Sequence, residues 1–372
     1  MSDEDMVLAL DLAWIADNDV QKKSSPGVPY VKEGISNEKL FSSESSRGLV
    51  FSIVVQRIRR ILSFTLEEIR AMSPVQLVQE GLVDPVKVFI KSEPHKRAKL
   101  DAGKLRIISN VSIVDQIIER LLFSKQNKKE IIQWRNCPSK PGMGLHDAGL
   151  QELYAEVTQA QAKAQLVETD VSGWDWSVPA WLLQFDADCR VMLYGAPPSS
   201  ALARLIQFRA HAISNKVFAL SDGTLYQQCV PGVQASGSYN TSSTNSRMRV
   251  SLAWMVGASW AIAMGDDDVE DEVDGAADKY RAMGFTIKDY KLLPGLGQFE
   301  FCSTEFHGSW KGYSSQWLRT VFRFLAHSPA SHKQNPEFRS QLDRDLRHHP
   351  DRQEILSKCD AVVASVSKLT DK

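Results

Sequence analysis

The stretch that most constrains this chain is Ser259–Val269, where the run Trp260-Ala261-Ile262-Ala263-Met264 meets Gly265 and then Asp266, Asp267 and Asp268. A short, bulky apolar run bounded by a turn signal reads as a buried strand ending in a tight hairpin. Such a hairpin holds Asp266 and Asp267 at the strand tip. Carboxylates that close repel one another, and metal, protons or water must relieve the repulsion. Alone, the pattern fits a solvated acidic turn better than a metal site. The acidic run from Asp268 to Asp274 reads as a solvated flank.

A chain of 372 residues has room for a large core and more than one domain. Its net charge of −1 conceals segregation, because Lys87–Arg106 is strongly basic and Asp266–Asp274 almost all acidic. That separation suits a protein that meets polyanions on one surface and holds metal on another. The five cysteines (Cys137, Cys189, Cys229, Cys302, Cys359) lack CxxC or Cys/His metal spacing and are expected to be thiols in a reducing compartment. No apolar run reaches membrane-spanning length, and the acidic Met1-Ser2-Asp3-Glu4-Asp5 does not read as a signal peptide, so cytosol is expected.

Upstream, Met6–Ile15 has the periodicity of a helix. Ser24-Ser25-Pro26-Gly27-Val28-Pro29-Tyr30 cannot be helical. It reads as a rigid, exposed turn able to offer backbone N–H groups to phosphates, or as a plain loop. Helices are expected over Glu44–Leu62 and over Thr65–Gln79, the second capped by Ser63 or Thr65. Val86–Lys91 alternates as a strand. The Asp101-Ala102-Gly103 turn then makes Lys91–Arg106 a basic hairpin carrying Lys91, Lys96, Arg97, Lys99, Lys104 and Arg106. Those cations suit phosphates or a solvated face. Ser112–Lys129 and Gly149–Ala164 read as helices, with a loop over 135–147.

Gln165–Asp170 reads as a strand that ends in a carboxylate, with Asp175 five residues on and a helix from about Val178 to Leu193. Carboxylates so placed suit a cleft, since unpartnered burial is costly; capping and turn roles are the alternative. Ala201–Ala212 is helical, and the Asp222-Gly223 turn joins Lys216–Leu220 to Leu225–Val230 as a hairpin. Pro231–Asn240 is a loop. Thr241–Val256 is expected to be helical although Thr241–Ser246 is rich in poor helix formers, a choice that fits close approach of another chain. Asp278–Phe285 reads as a helix, Phe285–Lys288 as a strand start and Phe299–Phe306 as a hairpin strand. Beyond Gln316 the chain is helical and basic, ending in an amphipathic helix near Ile355–Leu369.

Taken in order, these segments resemble the RNA-dependent RNA polymerases of positive-strand RNA viruses, above all the sobemovirus and polerovirus type and more distantly the picornavirus type. The resemblance covers about residues 24 to 310 and takes in all seven polymerase motifs in family order. Asp170-Val171-Ser172-Gly173-Trp174-Asp175 looks like motif A, Ser236–Ser246 like motif B, Gly265-Asp266-Asp267 like motif C and Gly284–Lys288 like motif D. Phe299–Phe306 resembles motif E, Lys91–Arg106 motif F and Ser24–Tyr30 motif G. Picornavirus-type spacing usually has arginine where this chain has His95.

The resemblance implies an α+β right-hand fold whose palm is a small antiparallel sheet backed by helices. Fingers would comprise 1–164 and an insertion at 201–230, the palm 165–200 and 231–306, and the thumb 307–372. It implies nucleotidyl transfer with two Mg²⁺ ions, Mn²⁺ able to substitute, held by Asp170, Asp266 and Asp267 with the Val171 carbonyl. Asp175 and Asn245, helped by Ser236 or Thr241, would bind the ribose 2′-OH; reverse transcriptases place an aromatic residue at the Asp175 position. Lys91, Lys99, Lys104 and Arg106 would surround the triphosphate. Lys288, or its neighbour Lys291, would protonate pyrophosphate. Ser25, Pro26, Gly27, Gly237, Cys302 and Ser303 would meet template or primer RNA. Expected partners are RNA template and primer, NTPs, a genome-linked protein primer and viral or host replication proteins. The expected location is the host cytoplasm, at membrane-associated replication complexes. Two other readings remain open on the residues alone: a palm enzyme of different output, such as a reverse transcriptase or terminal nucleotidyltransferase, and a non-enzymatic RNA-binding protein.

Overall fold

The computed structural model describes residues 3–94 and 97–370, so Met1, Ser2, His95, Lys96, Asp371 and Lys372 lie outside the described residues. Eleven strands are present among them: β1 (Val86–Ile90), β2 (Ile107–Asn110), β3 (Leu166–Val171), β4 (Val217–Ala219), β5 (Leu225–Gln227), β6 (Ala261–Met264), β7 (Asp267–Asp271), β8 (Ile287–Leu292), β9 (Gln298–Phe301), β10 (Thr304–His307) and β11 (Tyr313–Ser314). They form three sheets, ordered β2-β1-β4-β5, β6-β7-β3-β8 and β11-β10-β9. The central β6-β7-β3-β8 sheet is antiparallel throughout. Its short strands put apolar side chains against the Thr241–Val256 and Asp147–Gln161 helices, through two neighbouring clusters of buried residues.

Helices dominate on either side. Asp3–Asn18, Glu44–Ser63, Ile113–Ile132 and Ala201–Ser214 share one apolar core. The C-terminal helices Trp317–Leu325, Glu337–Asp345 and Arg352–Thr370 share a separate, smaller one around Phe324, Leu342, Leu346 and Leu356. The Ala180–Tyr194 helix joins two cores, with Ala187 and Val191 facing the first and Leu182 and Leu183 facing the central sheet.

Four expectations need correction. Thr65–Gln79 is two helices, Leu66–Ala71 and Pro74–Gln79, because Ser73 and Pro74 supply a cap and a first-turn proline and start a new one. The basic segment is no simple hairpin. β1 and β2 do pair, but Arg97–Asp101 between them is a helical turn, closed by an Arg97–Asp101 ion pair at 3.1 Å and by Gly103 at φ 63°. Ser25-Pro26-Gly27 is packed rather than exposed. Pro26 and Gly27 are buried, the Pro26 carbonyl accepts from the Ile113 N–H, and a Cβ on Gly27 would lie 2.6 Å from Asn110 Oδ1. The acidic run after Asp267 is a solvated flank only at its far end: Asp268 and Glu270 are buried, because β7 is an inner strand of the central sheet, while Glu272 and Asp274 are exposed.

Candidate active site

Antiparallel pairing of β6 and β7 matches Met264 with Asp267, leaving Gly265 and Asp266 as a two-residue loop. Gly265 has φ 70°, as the first residue of a favoured hairpin turn requires. Its N–H donates to Ser246 Oγ at 2.9 Å, which fixes the loop against the Thr241–Val256 helix. On the other side β7 pairs with β3, Asp268 opposite Thr169. Asp170, next along β3, therefore lies beside the hairpin tip, and a register shift follows at Asp170/Val171. The Asp170, Asp266 and Asp267 side chains thus share one exposed mouth at the end of the sheet. Burial of its carboxyl, then the charges of Asp266, Glu300 and Asp170, push Asp267 up to about 7. Lys288, on β8, donates to Asp170 Oδ2 at 2.7 Å and to Asp289 Oδ2 at 3.0 Å. Lys291 instead pairs in register with Glu168, farther along the sheet.

Asp175 stands in the short Trp174–Ser177 helix that follows β3 and accepts from Asn245 Nδ2 at 3.2 Å. Asn245 is 4% exposed and its Oδ1 has no partner among the described residues. Burial, offset in part by the Asn245 hydrogen bond, raises the Asp175 pKa. Ser236 Oγ accepts from the Ser109 N–H at 3.0 Å, and the Thr241 hydroxyl has the carbonyls of Ala235, Ser236 and Ser238 within reach as acceptors for its one proton. These two hydroxyls stitch the loop together. A Cβ on Gly237 would lie 2.0 Å from the Ser109 carbonyl oxygen, so this position lets the loop close on β2. The polar run Ser243–Ser246 is buried as a hydrogen-bonded seam: Thr244 Oγ1 donates to Asp186 Oδ2 at 2.9 Å, and Arg190 donates to Ser243 and Thr244. Close approach by neighbouring elements explains the small hydroxyl residues there.

Lys91 and Arg106 sit together, because the Lys91 N–H donates to the Arg106 carbonyl at 2.8 Å. Both face Glu93, at 3.0 and 3.9 Å, which also meets Arg319 at 3.0 Å and Arg323 at 3.8 Å from the Trp317–Leu325 helix. Four cations thus converge on one carboxylate. Lys99 and Lys104 are exposed and outside this cluster. Cys302 and Ser303 form the β9–β10 turn, both with positive φ, and Cys302 Sγ lies 3.9 Å from the Met264 carbonyl oxygen.

A family model described as viral RNA-directed RNA-polymerase matches residues 15–323. The chain belongs to the viral RNA-directed RNA polymerases. It is 40% identical over 367 residues to the RNA-directed RNA polymerase of Mushroom bacilliform virus, covering 95% of this chain and 86% of that one. It is 42% identical over 342 residues to the replicase polyprotein P2AB of Southern cowpea mosaic virus, 89% of this chain but 34% of that polyprotein. A Sicinivirus 3Dpol RNA-dependent RNA polymerase superposes with TM-score 0.67 at 15% identity, covering 94% of this chain and 74% of that one. The α+β polymerase fold anticipated from the motifs is therefore the observed one.

Membership implies dependence on a divalent metal, and the donors of this polymerase fit one. Hard divalent cations take a few carboxylates plus substrate phosphates and water. Asp170, Asp266 and Asp267 supply carboxylates at an open mouth, and Asp267 is raised by burial first and then by the neighbouring carboxylate charges that a cation would neutralise. Lys288 bound to Asp170 is a cation already drawn to the cluster. Among the described residues no group of three or more His, Cys, Asp or Glu side chains is placed to hold a metal ion by itself.

Because Asp267 is raised in the folded polymerase, it contributes stability below about pH 4 that is lost as pH rises through about 7. In metal chelator, the melting temperature is expected to fall across that window, and the slope to be smaller in Asp267→Asn. Equal slopes in the two proteins would contradict the assignment.

Sequence reasoning missed a buried network of five residues behind this mouth. Arg249 is 0% exposed, ion-paired with Asp268 at 2.6 Å, and donates to Thr169 Oγ1; Thr169 Oγ1 in turn donates to Asp268. Glu270, also 0% exposed, accepts from Tyr280 Oη at 2.6 Å, and burial pushes it up to about 8. Thr169 and Asp268 are the chain neighbours of Asp170 and Asp267, so this network fixes the strands that carry the mouth's carboxylates. The available signal was an arginine four residues beyond Asn245, on the buried side of the helix.

Proposed function

We propose that this RNA-directed RNA polymerase extends a primer 3′ end on an RNA template through the mouth formed by Asp170, Asp266 and Asp267. The observation that carries the proposal is the pairing of β3 with β7, which brings Asp170 beside the Gly265–Asp266 turn. Two Mg²⁺ ions, with Mn²⁺ as a substitute, would supply activation of the attacking 3′-oxygen and neutralise charge on the departing pyrophosphate. Asp170, Asp266 and the Val171 carbonyl would hold them, with Asp267 assisting. The chain's own side chains do the rest. Lys91 and Arg106, with Lys99 and Lys104 beyond them, draw in the triphosphate. Lys288, protonated and next to Asp170, would give a proton to pyrophosphate.

Asp175 and Asn245 would check the sugar. The unpartnered Asn245 Oδ1 can accept a hydrogen bond from a ribose 2′-OH, and a deoxyribose leaves it orphaned. The packed Ser25–Gly27 turn, Gly237 and the Cys302–Ser303 turn are assigned to the walls of the RNA channel. Residues 1–164 and 201–230 would serve as fingers, 165–200 and 231–306 as palm, and 307–372 as thumb. The separate core of the C-terminal helices and the shared β2-β1-β4-β5 sheet support those divisions. Initiation on a genome-linked protein, association with other replication proteins and work at membrane-associated complexes in the host cytoplasm complete the proposal.

The test is a primed homopolymer RNA template with labelled nucleotides and Mg²⁺. Addition of only the complementary ribonucleotide is expected; template-indifferent addition or efficient use of deoxynucleotides would refute it. Asn245→Ala is expected to raise relative use of the deoxynucleotide by about tenfold or more. Unchanged selection in both Asn245→Ala and Asp175→Ala would remove the sugar-checking role.

A further inference from the structure

The loop that leads into Ser236 is held by a buried lysine for which the chemistry above has no use. Lys216 follows the Ala201–Ser214 helix and is 3% exposed. Its ammonium donates to three backbone carbonyls: Ile213, Gly232 at 3.1 Å and Val233 at 2.6 Å. Three carbonyl oxygens aimed at one point repel each other unless a cation sits between them. The Phe218 ring centroid lies 5.7 Å from the ammonium, and among the described residues no carboxylate bonds to it directly; Arg209 and Asp175 are the charged groups there that act on it.

The segment so gathered is strained. Val233, β-branched, has φ 62°, and Gly232 has φ 133° with Val178 O only 2.5 Å from where a Cβ would stand. Such backbone persists only where its surroundings over-determine it. The strain is tied to the sugar-checking pair by the next bonds along the chain. The Val233 N–H donates to the Val178 carbonyl at 2.7 Å, and the Gln234 N–H to the Asp175 carbonyl at 2.7 Å. Lys216 thus pulls on one side of a two-residue segment whose other side fixes the backbone of Asp175.

We propose that Lys216 is a positioning residue for ribose selection: its ammonium locks Gly232–Val233 in the left-handed conformation that sets Asp175 against Asn245. Released from it, the segment relaxes, the Gln234–Asp175 bond lengthens, and the carboxylate no longer faces Asn245 in the geometry that rejects a deoxyribose. The inference rests on the sugar-checking role of Asp175 and Asn245. Burial first, and Arg209 next, bring Lys216 down to about 7, against the favourable charge of Asp175.

The experiment compares kcat/KM for a ribonucleotide and its deoxy analogue on a primed RNA template, for the wild type, Lys216→Met and Asp175→Ala. Lys216→Met is expected to keep most of its rate with the ribonucleotide and to lose about tenfold or more in ribo-over-deoxy discrimination. A folded Lys216→Met with wild-type discrimination, alongside an Asp175→Ala that has lost it, overturns the inference. If Asp175→Ala also keeps full discrimination, it is the sugar-checking assignment that falls, and the inference with it. Should Lys216→Met not fold, Gly232→Ala, which disturbs the same segment from its Val178 side, is judged by the same ratio.

Discussion

Alanine at Asp170 or Asp266 is expected to lower nucleotide addition by at least about three orders of magnitude, which is ~4 kcal/mol on the barrier. RNA binding should survive. Both side chains are exposed, and Asp266 makes no ion pair or hydrogen bond among the described residues, so removing its carboxylate costs the fold little. Asp170 does pair with Lys288, but at an exposed site where such a pair is worth ~1 kcal/mol or less. Stability and catalysis therefore separate cleanly at these positions. Primer extension under single-turnover conditions, with RNA affinity measured in parallel, checks the prediction. Addition by the Asp266→Ala protein at the wild-type rate would remove Asp266 from the reaction. Asp267→Ala, assigned a supporting role, should cost less than either.

The second large effect concerns folding. Arg249→Met is expected to destabilise the polymerase by about 3–5 kcal/mol, because it strands a buried carboxylate that has lost its cation. The Arg249–Asp268 pair is enclosed, with both side chains at 0% exposure, and Thr169 bonds to both partners. Arg249→Met combined with Asp268→Asn should recover most of the loss, since a neutral pair no longer carries uncompensated charge. Urea unfolding of the two variants decides between them, and a double variant no more stable than the single one would contradict the account. Because Thr169 and Asp268 adjoin Asp170 and Asp267, the recovered double variant is also expected to show a lower kcat with little change in nucleotide KM.

Much of the mouth is legible in the amino-acid sequence. Gly265 between an apolar run and two carboxylates specifies a hairpin, since a two-residue turn needs a residue free to take positive φ and the strand needs bulky side chains to bury. The strand ending in Asp170 is equally plain from its composition, and Asp175 with Asn245 from the family resemblance. Local chemistry suffices for the Gly265 hairpin and the Asp170 strand end, because each of those two signals lies within about ten residues of sequence.

The rest depends on partners distant in the chain. Asp268 and Glu270 look like solvated acids in sequence, and only the placement of β7 between β6 and β3 buries them against Arg249 and Tyr280. Glu93 reads as one acid in a basic stretch until the Trp317–Leu325 helix brings Arg319 and Arg323 to it. Ser25-Pro26-Gly27 reads as an exposed turn because proline and glycine describe backbone shape but not what packs on it; the Asn110–Ile113 backbone does. The sequence by itself determined which residues carry charge at turns and strand ends, and hence the chemistry available. Tertiary structure decided which of those charges are solvated and which are matched in the interior. The physical reason is that turn and strand preferences are set by near neighbours, whereas the ionisation and role of a carboxylate are set by whatever the fold brings within a few ångströms of it.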